Sequence, residues 1–309
     1  MTEEIVRNRS EVLFVYDCKD ANPNGDPLDE NKPRIDEETG INIVTDVRLK
    51  RTIRDYLISK LGKESVFIRL ERKEDGNLKT RRERIEEMKK EKKELWKEYL
   101  DLRLFGATIG LEEKGAESGG KGESIAITGP VQFRFGRSLH KVDGPILIKG
   151  TTVMPSDTGK TQGTFTETWI LPYSLIAFYG IINENAAKDT GLSEEDVKLL
   201  LEGMWNGTKN LITRSKVGST PRLLIRVVYK KSNYYIGNLD RKIKLITNKR
   251  DEELRDISEL KLDLSELISA LQKEKDNIGK IEYKISPDCA IEGDLKKLGV
   301  HLEELSFER

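Results

Sequence analysis

The sequence predicts an α+β fold, and three observations carry that reading. Apolar, β-rich segments recur at 11–19, 124–135, 164–182 and 222–229. Two capped, helix-patterned segments lie among them, at roughly 46–61 and 193–212. Long polar insertions, rather than tight turns, join several of these pieces. A four-stranded antiparallel sheet crossed by two helices fits this order.

Each element has its own signal. Glu11 to Lys19 contains Val-Leu-Phe-Val-Tyr, nearly all apolar, which predicts a strand buried on both sides. Asn22-Pro-Asn-Gly-Asp-Pro27 is a compact turn cluster, and the loop runs on to Gly40, long enough to suggest a functional role. Thr45-Asp46 caps the first helix. Residues 72–104 are dense in charge of both signs, with a thin apolar stripe of Ile85, Met88, Leu95, Trp96 and Tyr99, as in an exposed helical insertion. Gly106 to Gly122 is glycine-rich. Gly136 to Gly163 mixes β-formers with Gly, Pro, Ser and Asp, which suits a protruding hairpin. Ser193-Glu-Glu-Asp opens the second long helix, and a short strand is expected at 281–285.

The 309 residues contain 36% apolar and 35% charged side chains, the profile of a polar, soluble chain with a sizeable core. No apolar run approaches a membrane span, and the acidic N-terminus carries no apolar signal segment. Two cysteines, Cys18 and Cys289, are too few for a disulfide framework or a structural zinc site, so a reducing cytoplasm is expected. Net charge is zero but unevenly spread. From Arg250 onward there are 10 Lys/Arg against 16 Asp/Glu, a balance of −6, so residues 1–249 carry +6. A basic body with an acidic end can bind a polyanion on one face, or let the acidic edge of one copy meet the basic edge of the next. Scattered surface charge gives the same count.

The first helix carries Arg48, Arg51 and Arg54 at i, i+3 and i+6, with Lys50 at the border and Leu49, Ile53, Tyr56 and Leu57 opposite. Three neighbouring guanidiniums repel one another unless an anion sits among them, and phosphate matches their geometry. The plainer reading is a solvated face on which Asp55 neutralises Arg51. Strand, polar loop and basic helix together suit a nucleic-acid backbone, and α+β sheets of this kind often leave one face open for RNA. Arg214, Ser215, Lys216 and Ser219 form a basic turn of hydroxyls and cations suited to phosphate, and Arg137 with Ser138 read the same way more weakly.

Three strings resemble the repeated backbone subunit of type I-B CRISPR Cascade complexes. They are Tyr16-Asp-Cys-Lys-Asp-Ala-Asn-Pro-Asn-Gly-Asp-Pro27, Thr45-Asp-Val-Arg-Leu-Lys-Arg-Thr-Ile-Arg54 and Ile127-Thr-Gly-Pro-Val-Gln-Phe-Arg-Phe-Gly-Arg-Ser138. Gly150-Thr-Thr-Val-Met-Pro155 and Thr213-Arg-Ser-Lys216 add to the likeness, which spans most of residues 5–235. The resemblance implies a modified RRM/ferredoxin-like palm with a helical fingers insertion and a long β-hairpin thumb. It implies palm at 1–60, 123–139 and 166–309, the last including a C-terminal helical region, fingers at 61–122 and thumb at 140–165. It further implies copies stacked head to tail along a guide RNA, other Cascade subunits as partners, and target DNA reached through the RNA. Asn22, Asn24, Gly25 and Arg34 are then RNA-binding candidates in the loop, and Lys50 with Arg51 or Arg54 match the family's phosphate-binding lysines. Thr152 and Met154 lie at the thumb tip, where Met can wedge beside a displaced base.

Catalysis has little support in the residues. His140 and His301 are far apart, and neither stands with a Cys or Asp at metal-ligand spacing. The glycine-rich 115–122 segment lacks P-loop spacing. The expectation is a non-enzymatic guide-RNA scaffold without cofactor or metal. Two rivals stand beside it: an endoribonuclease using one of Asp20, Asp26, Asp29 or Asp36, and an RNA-free structural oligomer.

Overall fold

A computed structural model describes residues 4–80, 83–84, 95–111, 123–151 and 165–307. Strand β1 (Ser10–Ala21) leads into two short hairpins, β2 (Gly25–Asp26) with β3 (Lys32–Pro33) and β4 (Ile35–Asp36) with β5 (Ile41–Val44). Helix α1 (Asp46–Leu61) follows, then short helices α2 (Leu95–Glu98) and α3 (Leu100–Phe105), and the hairpin of β6 (Gly106–Leu111) and β7 (Glu123–Thr128). Strands β8 (Val131–Phe133), β9 (Gly136–Lys141) and β10 (Ile146–Thr151) precede the long β11 (Phe165–Ile182). Helices α4 (Glu184–Thr190) and α5 (Glu194–Lys209) lead to β12 (Thr220–Tyr229). The C-terminal region holds β13 (Lys244–Ile246), β14 (Lys261–Asp263), α6 (Ser265–Lys273), β15 (Ile278–Ile285), β16 (Ile291–Glu292) and β17 (His301–Glu304).

The main sheet runs β17-β15-β12-β1-β11-β9-β5-β4, with β8 and β10 also pairing β11. Its centre is β1, antiparallel to β11 on one side, where Phe14 faces Phe178, and to β12 on the other, where Phe14 faces Leu224. The described sheet thus has ten strands, not the four expected. The C-terminal region adds β15 antiparallel to β12 and β17 parallel to β15.

Both faces of β1 are buried, as its unbroken apolar run dictates. Val12, Phe14, Tyr16 and Cys18 pack with Leu49, Ile53 and Leu57 of α1 and with Leu200 and Met204 of α5. Leu13 and Val15 point the other way, into a second core completed by Leu254, Leu262, Leu267 and Leu298. This overturns the expectation of an open sheet face: the C-terminal region covers most of it.

Helix α1 starts where expected, because Thr45 caps it by accepting a hydrogen bond from the Arg48 amide, and it stops at Gly62, whose φ is 91°. Ser193 and Asp196 form a capping box on α5. The two helices approach closely because α5 presents Gly203 and Gly207. A Cβ on Gly207 would lie 3.0 Å from the Thr52 carbonyl oxygen. That contact fixes α1 and the basic side chains it carries.

The expected exposed insertion is partly internal. Leu95, Trp96 and Tyr99 pack with Phe67 and Leu102 in a small third core, while Ile85 and Met88 lie outside the described residues. Strand β10 pairs with the start of β11, from Ile146 opposite Ile170 to Thr151 opposite Phe165. Thr152 and Met154 lie beyond it, outside the described residues.

Candidate nucleic-acid interface

Three segments far apart in sequence converge where β1 and α1 meet. The turn after β1 is tied to the loop before β12. The Asn22 amide donates to the Ser215 carbonyl at 2.7 Å, and Lys216 Nζ donates to the Asn22 carbonyl at 2.6 Å. The same turn is tied to the start of α1, because Asn24 Oδ1 accepts from both the Thr45 amide (2.9 Å) and the Thr45 hydroxyl (2.8 Å). Gly25 lets this hairpin close, since a Cβ there would meet Asn31 Oδ1 at 2.2 Å.

Arg48 and Lys216 face each other across a small cavity lined also by Tyr16, Thr52, Phe178 and Ser219. Its volume is about 10 Å³, room for one water-sized group and far too little for a base. Arg48 Nη2 donates to Thr52 Oγ1 at 3.0 Å, and its buried Nε has no hydrogen-bond partner among the described residues. Asn22 is buried, donates Nδ2 to the Asn31 carbonyl, and its Oδ1 also lacks a partner. Among the described residues, neither Arg48 nor Lys216 meets a carboxylate within ion-pair distance. Burial, and then the neighbouring Arg48 charge, push the Lys216 ammonium down to about 8. Burial is also the largest cause lowering the Arg48 guanidinium from its ordinary value. Two half-dehydrated cations side by side, with no carboxylate in ion-pair contact among the described residues, are a site poised for an anion.

The other predicted residues divide by environment. Arg214 reaches Thr166 Oγ1 at 3.2 Å, linking this loop to the start of β11, and Ser215 contributes its carbonyl. Ser219 is buried and donates to the Lys216 carbonyl, shaping the loop rather than facing outward. Arg51 is exposed and held by Asp55 at 2.7 Å, the plainer reading of that position. Lys50 pairs with Asp46 at 3.0 Å and reaches Gln132 Oε1 at 3.3 Å. Arg34 pairs with Asp26 at 2.7 Å.

Two expectations are corrected. Arg54 does not share an exposed face with Arg48 and Arg51. It is buried, its Nε bonded to Asp101 at 2.8 Å, because the i+6 position has turned towards α3. Ser138 is also buried, accepting from the Asn42 amide and donating to the His140 carbonyl. Arg137, one residue before it, lies exposed near Asp36 at 3.4 Å, apart from the Arg48–Lys216 pair. The sequence reading missed Tyr16, Thr45 and Thr52 as parts of the site. Only the i, i+4 spacing of Arg48 and Thr52 hinted at the last.

The family model described as "CRISPR-associated protein Cas7" matches residues 8–265. The chain belongs to the Cas7 family. A "CRISPR-associated protein Cas7" of Haloferax volcanii is 34% identical, the match covering 97% of this chain and 95% of that protein. A chain of a "CRISPR RNA-guided surveillance complex" has the same general fold, with a TM-score of 0.53 and 14% identity over 97% of this chain and 95% of its own length. A chain of a "CRISPR RNA-guided surveillance complex, pre-nicking" gives 0.54 and 13%, over 96% of each chain. Those two likenesses bear on the fold, a mixed α/β architecture with one large sheet. In this Cas7 family member the converging segments are the strings around Asn22, Arg48 and Lys216.

Proposed function

We propose that this Cas7 family member is the repeated subunit that coats guide RNA in a CRISPR surveillance complex, stacking with its own copies and other subunits and presenting the RNA to target DNA. The observation that carries this is the Arg48–Lys216 pair, two adjacent cations with no carboxylate in ion-pair contact among the described residues, in a cleft too small for a base. Such a cleft suits a phosphate oxygen and hence binding with little regard to sequence. The neighbours' names, which speak of RNA-guided surveillance complexes, support the same reading.

The palm is read as RRM-like. Support comes from the central order β12-β1-β11-β8, with α1 following β1 and α5 following β11 on one face. The β10–β11 hairpin serves as thumb in this reading, with Thr152 and Met154 at its tip, and residues 61–122 as fingers.

The subunit is further proposed to be a scaffold without catalysis. Both ring nitrogens of buried His140 are engaged, Nδ1 with the Lys141 carbonyl and Nε2 accepting from the Leu175 amide. Asp26, Asp29 and Asp36 each face a cation, Arg34, Lys32 and Arg137 respectively. Purification from the native host, followed by sequencing of bound RNA, tests the assignment. Guide transcripts of uniform repeat-derived ends are expected, and protein free of RNA contradicts it. Complementary labelled RNA incubated with the assembly and Mg²⁺ is expected to stay intact, whereas cuts at regular spacing point to the endoribonuclease.

A further inference from the structure

The second face of the sheet is not wholly covered. An open concavity of about 510 Å³ remains between β8–β9 and the helical turn Leu239–Lys242. It lies across the sheet from the Arg48–Lys216 cleft. That cleft is lined by Tyr16 and Phe178 of the first core, whereas the concavity is lined by Ala177 and Leu139 of the second, with Phe133 of the first at its edge.

Its rim combines guanidiniums with an exposed aromatic ring that, among the described residues, stacks on no other ring. Arg134 lies 4.4 Å over the Tyr179 ring and is fixed by Asn238 at 2.9 Å and Asp240 at 2.5 Å. Arg137 is more than half exposed, and its carboxylate neighbour Asp36 stands at a long 3.4 Å. Arg241 is exposed and, among the described residues, has no carboxylate partner. Phe135 leaves 55% of its surface in solvent, although it follows a buried strand. Three guanidiniums face two carboxylates, Asp240 and the more distant Asp36, and the charge left over on Arg241 calls for an anion. An exposed ring beside them calls for a planar apolar face. A nucleotide whose base is not paired offers both, and a duplex hides the face that Phe135 needs.

We propose that this concavity is a second nucleic-acid site, taking an unpaired nucleotide of a single strand other than the one held at Arg48 and Lys216. The base stacks on Phe135, and its phosphate is held by Arg241 and Arg137. Arg134 is the positioning residue, fixed against Tyr179.

The test uses the protein as purified, with its endogenous nucleic acid in place. Fluorescent 12-mers of oligothymidylate and oligouridylate are titrated by anisotropy, and the two arms show whether the strand is DNA, RNA or either. Binding is expected to weaken about tenfold in Phe135→Ala, and in Arg241→Glu to weaken with a slope of log K against log salt reduced by about one. The 260/280 nm absorbance ratio and the melting temperature should stay at parental values, since neither side chain is buried. Oligonucleotide binding equal to the parent in both variants overturns the proposal. So does parallel loss of endogenous RNA, which makes the two sites one. So does altered sedimentation with oligonucleotide binding intact, which gives the concavity to a neighbouring copy.

Discussion

Lys216 gives the anion cleft a pH signature with two opposite signs. Its ammonium sits at about 8, below the ordinary 10.5, because burial and Arg48 disfavour the charge. A phosphate beside it restores the charge, so RNA binding takes up a proton and affinity falls as pH rises from about 8 to about 10. Stability runs the other way. The unfolded chain holds that proton more tightly than the folded one, so the RNA-free protein gains stability across the same window. Lys216→Met should remove both slopes, read by titrating binding and urea midpoints between pH 7 and 10. Arg54 makes a contrasting prediction. Asp101 accepts from Arg54 and from the Phe67 and Ile68 amides, so Arg54→Ala leaves a buried carboxylate without its cation. A loss of about 3–5 kcal/mol in urea unfolding is expected, with RNA content of the folded fraction unchanged. Spacing alone could not tell Arg54 from Arg48. Both lie on α1 at helical intervals, and only the position of Asp101, forty-seven residues on, separates a core ion pair from a free cation.

Among the elements, those with local signals were legible in the sequence. The apolar run of β1, the Thr45 cap and the Ser193 capping box were each written in a few adjacent residues, and α1 spans the residues read for it. The C-terminal cover was not legible. Its leucines, at 254, 260, 262, 264, 267 and 271, are set among charges and short turns rather than at one period, and they become a core only by meeting Leu13 and Val15. Glycines that allow close packing were equally silent. A Cβ on Gly136 would lie 2.4 Å from the Phe178 ring, so Gly136→Ala should cost about 1–3 kcal/mol by overpacking, measured by denaturant unfolding. Phe178 also lines the Arg48–Lys216 cleft, so RNA retention should fall together with stability in this variant.

At the scale of the whole molecule, a chain of zero net charge presents an anion cleft because the charges are sorted in space. Most basic groups near the cleft are spoken for: Arg34 by Asp26, Lys50 by Asp46, Arg51 by Asp55. Among the described residues no carboxylate is in ion-pair contact with Arg48 or Lys216, and the fold brings them together from positions 168 residues apart. That conjunction, rather than total charge, is what the proposed RNA-binding role rests on. The most direct measurement is the salt dependence of guide-RNA affinity for the parent and for Arg48→Met/Lys216→Met, a double variant that keeps side-chain volume while removing both charges. A drop in affinity, with the slope of log K against log salt reduced by about one to two units, is the predicted result. A folded double variant with parental affinity and parental slope would contradict it.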